Sequence, residues 1–425
     1  MDKNFLQENI VKRLGESSSK IGFIQDSYTK VISFIDNNEW KGYDPYDGNA
    51  SEIKLLKKYY YTRLFLTYFH KFCPLNTRLF FRIPKTQTNQ ALAFIVRALA
   101  PSKGGGNEFK RKIMNGIKHL LNNSERDTYG RYCWSGLSFP VQMRSPENPH
   151  APVVPDIIAT ETCARVFIEC QDYIFNEIDN ISILREVAEY FIDYHLIENK
   201  NGRFFKYYPD SPNNEITYNA SAIAAAYLID VDNITGQKNY KDIVDDCFDL
   251  IIKYQHSDGH WNYKINLETG FEKKQVDFHQ GFILDCLVKY LNIYGKDFRI
   301  ERSYLKGLDF YFNKQFLPNG QGIYRYPKKY PVNIHNQAQG IITFTRAAAA
   351  GFGDHYLEFA RTIAEWTIIN MQDPDGHFYY LKYPFFTNKI PYIRWSDAAM
   401  AYALSVYLDA VERRSSIENV HDQSH

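Results

Sequence analysis

Gln255-His256-Ser257-Asp258-Gly259-His260-Trp261 decides the fold, because variants of it recur along the chain. Lys200-Asn201-Gly202-Arg203-Phe204-Phe205 precedes it. Pro318-Asn319-Gly320-Gln321-Gly322-Ile323-Tyr324 and Gln372-Asp373-Pro374-Asp375-Gly376-His377-Phe378 follow it, and Tyr129-Gly130-Arg131-Tyr132 reads as a degenerate earlier copy. Glycines 202, 259, 320 and 376 recur roughly every 60 residues, which marks one supersecondary unit repeated. An Asn-Gly or Asp-Gly pair takes positive φ at low cost, so it ends a helix and turns the chain. The aromatic behind it packs back as a lid.

Two helices fit between successive turns. Ala220 to Ile229 is apolar on nearly every side, the mark of a buried helix. Ile243, Cys247, Leu250, Ile251 and Tyr254 recur at helical spacing with charges between them, which marks an amphipathic outer helix. The same pairing is expected at 87–100 with 107–123, 156–172 with 183–198, 278–294 with 300–314, and 336–350 with 355–371. The last apolar helix, Asp397 to Leu408, has no partner after it. N-terminal helices at 20–36 and 52–72 supply one and close a ring. The expected fold is therefore all-α, an (α/α)6 toroid of six helical hairpins. It forms a single domain over 1–414, with a polar tail over 415–425.

Composition narrows the function. Lys plus Arg is 50 and Asp plus Glu is 49, a formal charge of +1, and no basic tract stands out, so a nucleic-acid partner is not expected. No apolar run is long enough for a membrane span. Met1-Asp2-Lys3-Asn4 lacks the apolar core of a signal peptide, and the six scattered cysteines suit reduced thiols, so a cytoplasmic location is expected. There is no His-Glu-x-x-His, Cys-x-x-Cys or phosphate-binding glycine loop, and neither metal nor cofactor is expected.

In a toroid all inner helices run the same way, so their positive N-terminal ends gather at one mouth. The polar residues at those ends are the site candidates. Asp44, Glu161, Asp277, His279, His335 and Asp397 are the catalytic candidates, since they offer carboxylates and two imidazoles in matching places. Tyr43, Tyr46, Asp47, Arg82, Arg131, Trp134, Asn219, Asn336, Arg394 and Trp395 are the substrate-binding candidates. Arg131 and Trp134 sit in a long loop, 124–155, without periodicity. Asn219, Asp277, Asn336 and Asp397 also suit helix N-caps. No activated serine or cysteine is evident. Two carboxyl groups fit glycoside cleavage. Arginines 82, 131 and 394 fit a uronate carboxylate, and a histidine pair fits proton transfer in epimerisation.

Gly42-Tyr43-Asp44-Pro45-Tyr46-Asp47-Gly48, Val276-Asp277-Phe278-His279-Gln280-Gly281-Phe282, Tyr330-Pro331-Val332-Asn333-Ile334-His335 and Ile390-Pro391-Tyr392-Ile393-Arg394-Trp395 resemble a family of bacterial proteins found with capsule and exopolysaccharide genes. Its members are sometimes labelled squalene-cyclase-like or polysaccharide-biosynthesis proteins. More distantly, the chain is similar to six-hairpin glycosidases and acylglucosamine epimerases. The repeat also resembles that of triterpene cyclases, but their Asp-x-Asp-Asp proton donor is missing. The resemblance implies a carbohydrate-active enzyme of surface-polysaccharide metabolism. The expected reaction is hydrolysis or lyase cleavage of a glycan, uronate-containing by the arginine reading. The alternatives are a sugar epimerase using His279 and His335, or a non-catalytic protein binding a glycan or lipid carrier. The resemblance further implies association with polysaccharide-assembly machinery.

Overall fold

The computed structural model describes residues 3–101, 106–141, 154–174 and 177–422, with side chains between 20 and 416. Residues 142–153 of the long loop lie outside that set. Thirteen main helices carry the fold: α1 (Lys3–Asn37), α2 (Tyr60–Phe72), α3 (Asn89–Leu99), α4 (Gly106–Asn122), α5 (Ile157–Glu169), α6 (Asn180–His195), α7 (Tyr218–Thr235), α8 (Lys241–Lys253), α9 (His279–Tyr294), α10 (Phe298–Lys314), α11 (Ile334–Ala349), α12 (Asp354–Met371) and α13 (Ala398–Asp422). α13 runs on through the boundary expected at 414.

The inner helices are α3, α5, α7, α9, α11 and α13. Each packs on the next, and α13 packs back on α3, so the ring is closed. Every residue of α7 from Tyr218 to Asp232 is buried, as expected of a helix surrounded by others. The sixth outer helix is α1, which lies against α13 and α12. α2, the other expected partner, instead packs on the short helical turn Asp47–Ala50 beside the ring.

The turn motif explains how the ring repeats. Gly259, Gly320 and Gly376 all have positive φ, at 107°, 89° and 105°. A Cβ on them would meet a backbone oxygen of the next outer helix: Lys306 at 2.2 Å, Thr362 at 2.5 Å and Lys30 at 2.4 Å. Lys30 belongs to α1, so α1 occupies the outer-helix role although it is made first. The glutamines agree. Gln255 donates to the Ser303 carbonyl at 2.9 Å and accepts from its hydroxyl at 2.9 Å. Gln372 repeats both bonds with Ser27 of α1, at 3.2 and 2.8 Å. We expect Gly259→Ala to cost about 3 kcal/mol or more, through strain and overlap. Gly22→Ala, in α1 with open space around it, should be neutral or stabilising. Urea unfolding of both variants checks this.

Short strands, not expected from the sequence, finish the units. β1 (Leu196–Asn199) and β2 (Gly202–Phe205) form an antiparallel hairpin. β3 (Glu215–Thr217), β4 (Lys264–Asn266) and β5 (Glu272–Lys273) form one antiparallel sheet. β6 (Val332–Asn333), β7 (Leu381–Lys382) and β8 (Thr387–Asn388) form another. β3 runs straight into α7 and β6 into α11, which puts both three-stranded sheets at the mouth. Among the described residues, no helix is long and apolar enough to cross a membrane.

Candidate active site

The inner helices begin around a cavity of about 760 Å3. Glu161, Asn219, Asp277, His279, His335, Arg394, Trp395 and Tyr46 all line it. The chain enters α9 through Asp277, which accepts from the His279 backbone N–H at 3.3 Å and from its Nδ1. Gln275 donates to the other carboxylate oxygen at 2.8 Å. Burial alone would raise the Asp277 carboxyl, but His279 and these donors bring it below the usual range. Phe278 separates the two imidazoles, with ring centres 4.3 Å from His279 and 4.8 Å from His335. His335 stacks on Trp395 at 4.8 Å. Burial, with the nearby Arg394 charge, lowers its pKa to about 3, so it is a neutral imidazole.

The segment 42–48 docks on the entry to α13. Tyr43 bridges to Tyr392, and the Ile393 N–H donates to the Tyr43 carbonyl at 3.1 Å. Tyr46 thereby reaches the cavity, its ring edge toward Trp395 at 6.2 Å. Arg394 is held by both oxygens of Asp44, at 2.7 and 3.1 Å, and donates to Gln90 at 3.2 Å.

Several candidates lie outside the cavity lining. Asp397 stands in register with Thr160, Ser221, Gln280 and Gln337. Each accepts from a backbone N–H behind its helix: Phe378, Trp134, Phe205, Trp261 and Gly322 respectively, at 2.7 to 3.1 Å. Asp397 is thus a fully buried fastener, and burial pushes its carboxyl well up. Trp134 is the lid aromatic of the degenerate repeat, buried, with its indole N–H donating to Leu120 at 2.7 Å. Asn336 donates to the Ile323 carbonyl at 2.9 Å. Asp44 sits behind Arg394, Asp47 pairs with Arg78, and Tyr43 is buried beneath the rim. Arg131 faces Glu189 of α6 at 2.8 Å, and Arg82 is exposed on the surface. The arginines expected to grip a uronate are therefore paired or absent from the cavity.

Other lining residues escaped the sequence reading. The floor holds Arg97, Arg165, Lys289 and Arg346, matched by Glu161, Glu169, Asp230 and Asp285. Glu161 is committed to Arg165 there. The available signal was charge in the middle of helices otherwise buried all round. Tyr207, Tyr208, Tyr263 and Tyr380 line the walls.

Asp156 also lines the cavity and caps α5, accepting from Ala159 at 2.9 Å. Burial raises its pKa to about 6. A carboxyl raised in the folded state loses stability as pH rises from about 4 to about 6. Asparagine caps equally well. Asp156→Asn should therefore gain about 1 kcal/mol at about pH 7 and nothing at about pH 4 in urea unfolding.

The fold is that of the α/α toroids, and its structural relatives handle sugars. A family 76 glycoside hydrolase, an alpha-mannanase from Bacteroides thetaiotaomicron, superposes with a TM-score of 0.57 at 13% identity, covering 77% of this chain and 88% of its own. Cellobiose 2-epimerase from Bacillus thermoamylovorans gives 0.59 at 11%, covering 78% and 90%. A D-mannose isomerase gives 0.55 at 12%, covering 77% and 86%. At these identities the likeness establishes the fold alone. No protein-family model and no curated protein matches the chain, so these comparisons give the capsule-cluster resemblance no support.

Proposed function

We propose that the chain is a sugar-processing enzyme that moves a proton beside the carbonyl of a reducing sugar, as an aldose epimerase or isomerase. The observation that carries this is the Asp277–His279 pair, set in a cavity beside a neutral His335. With its Nδ1–H donated to Asp277, His279 presents Nε2 to the cavity as the base. Nε2 takes the proton from the carbon next to the carbonyl, and the electron pair moves onto the carbonyl oxygen. An N–H of His335 donates a hydrogen bond to that oxygen, so the intermediate is an enediolate facing the imidazolium that His279 has become. Return of the carbon-bound proton to the carbonyl carbon, with the neighbouring hydroxyl proton passing to the former carbonyl oxygen, isomerises the sugar. Its return to the original carbon after the planar enediolate has turned its other face to His279 epimerises it. Trp395 and the wall tyrosines give flat faces for the ring. Toroids of epimerase, isomerase and mannanase type support a sugar ligand.

Lys71, Lys273 and Arg325 also line the cavity, and they favour a sugar carrying an acid group. The setting we favour is glycan metabolism at the cell surface, on the resemblance described above.

A second reading is glycoside hydrolysis. It is favoured by one observation: Asp156 is raised to about 6 while Asp277 is held low, the divergence an acid and a base need. Neutral and uronate-containing mono- and disaccharides, incubated in D2O and followed by NMR and mass, test both. Deuterium on carbon without cleavage supports proton transfer. Cleavage with gain of water overturns it in favour of hydrolysis.

A further inference from the structure

α2 is built inside out. Its buried face carries Arg63, Leu66, Thr67 and His70. Arg63 donates to the Lys57 and Lys58 carbonyls at 3.0 and 3.3 Å, and Thr67 accepts from Asn49 at 2.8 Å. Its outer face, at helical spacing, carries Tyr61, Phe65, Tyr68 and Phe72. Phe65 stacks on Phe69, and Tyr68 on Phe72, so the outer face is an aromatic sheet.

The chain on either side continues the pattern. Leu55, Leu75, Leu79 and Phe80 are 69 to 83% exposed. The stretch from 53 to 107 contains no aspartate or glutamate, while Lys54, Lys57, Lys58, Arg82 and Lys85 punctuate the apolar residues. Two more tips share this end of the barrel. Phe271 lies between β4 and β5, with the exposed Glu268 before it, then Glu272, which His256 and Asn262 hold, and then Lys273 and Lys274. Phe385 and Phe386 lie between β7 and β8, flanked by Lys382 and Lys389; all three phenylalanines are exposed. Soluble surfaces seldom gather apolar area like this without an occupant. The bases select an anionic one. Separate tips around one rim suit a broad flat surface better than a single peptide groove. Exposed aromatics interleaved with lysine, with acids absent from the 53–107 stretch, are how proteins lie on anionic lipid.

We propose that the mouth of the barrel docks on an anionic lipid bilayer. α2 and the tips at Leu79-Phe80, Phe271 and Phe385 enter the headgroup layer, and the lysines face the lipid charge. Tyr46 and Lys71, which line the cavity, adjoin this surface, and Lys71 donates to the Tyr46 hydroxyl at 2.9 Å. The cavity would then open toward the lipid. The inference does not depend on which sugar reaction occurs inside.

Co-sedimentation of the full chain with vesicles tests it. We expect binding to phosphatidylcholine–phosphatidylglycerol vesicles at least tenfold tighter than to phosphatidylcholine alone. A Leu79→Ser, Phe80→Ser, Phe385→Ser variant should lose tenfold or more. So should Lys54→Glu, Lys57→Glu, Lys58→Glu, with unchanged circular dichroism and unfolding midpoint. Failure to bind anionic vesicles overturns the proposal, as does equal binding by a folded lysine variant. A dimer seen by light scattering, dissociated by the Leu79-Phe80-Phe385 changes and indifferent to lipid, also overturns it and assigns the surface to a second copy.

Discussion

Asp277→Asn is expected to lower turnover about a thousandfold while changing KM less than about threefold. The carboxylate accepts from His279 Nδ1 and so fixes which imidazole nitrogen carries the proton. An amide in that place presents its NH2 to Nδ1 and favours the wrong tautomer. The oxygen facing Gln275 is kept in outline, so binding and folding should survive. Asp397→Asn is the matched control. That residue is equally buried but serves only the Phe378 N–H, and its repeat partners are already glutamine, serine and threonine. Activity within about twofold is expected for it, since it touches nothing in the cavity. Steady-state kinetics with the sugar identified by deuterium incorporation decides the matter. Comparable losses in both variants would remove Asp277 from the chemistry.

Arg78→Met is expected to destabilise the protein by about 3–5 kcal/mol at neutral pH. Arg78 is fully buried and holds Asp47 at 2.7 Å while donating to the Asp44 carbonyl at 2.9 Å. It also lies over the rings of Tyr43 and Tyr392, at 5.3 and 4.9 Å. Methionine restores much of the volume and none of the charge, so Asp47 is left buried and unpaired. Even with Arg78 present, burial raises Asp47 to about 6. Without Arg78 that pKa rises further, so protonation relieves the variant as pH falls toward about 6, and the loss levels off below it. Urea unfolding at several pH values measures it. A loss independent of pH would mean that packing, not charge, is what Arg78 supplies.

The ring was legible because its signals are local. Glycines 259, 320 and 376 announce positive φ, and the buried helices announce themselves by lacking a polar side. The short sheets were not, since strands of two to four residues leave no alternation to count. In the site, Asp277, His279, His335, Arg394 and Trp395 were legible as polar residues entering inner helices. Asp397, Asn336 and Trp134 share that description but serve the turn behind the helix. The difference lies in which side of one helical turn each faces, and the sequence shows it only once Thr160, Ser221, Gln280, Gln337 and Asp397 are aligned. The salt-bridged floor was hidden for another reason. Arg165, Asp230 and Arg346 sit far apart in the chain and meet only when the ring closes.

That closure has a consequence for how the protein is made. Ser27 and Gln372, which clasp one another, are 345 residues apart. Of the ring's helices α1 leaves the ribosome ahead of all the others, yet its partners α12 and α13 come at the far end of the ring. Ile24, Val31 and Ile35, all inaccessible in the finished ring, must stay unsatisfied throughout synthesis. The nascent chain thus carries a sticky leading helix that only the final hairpin can quench, and a chaperone or a slow last docking step is the natural answer to it.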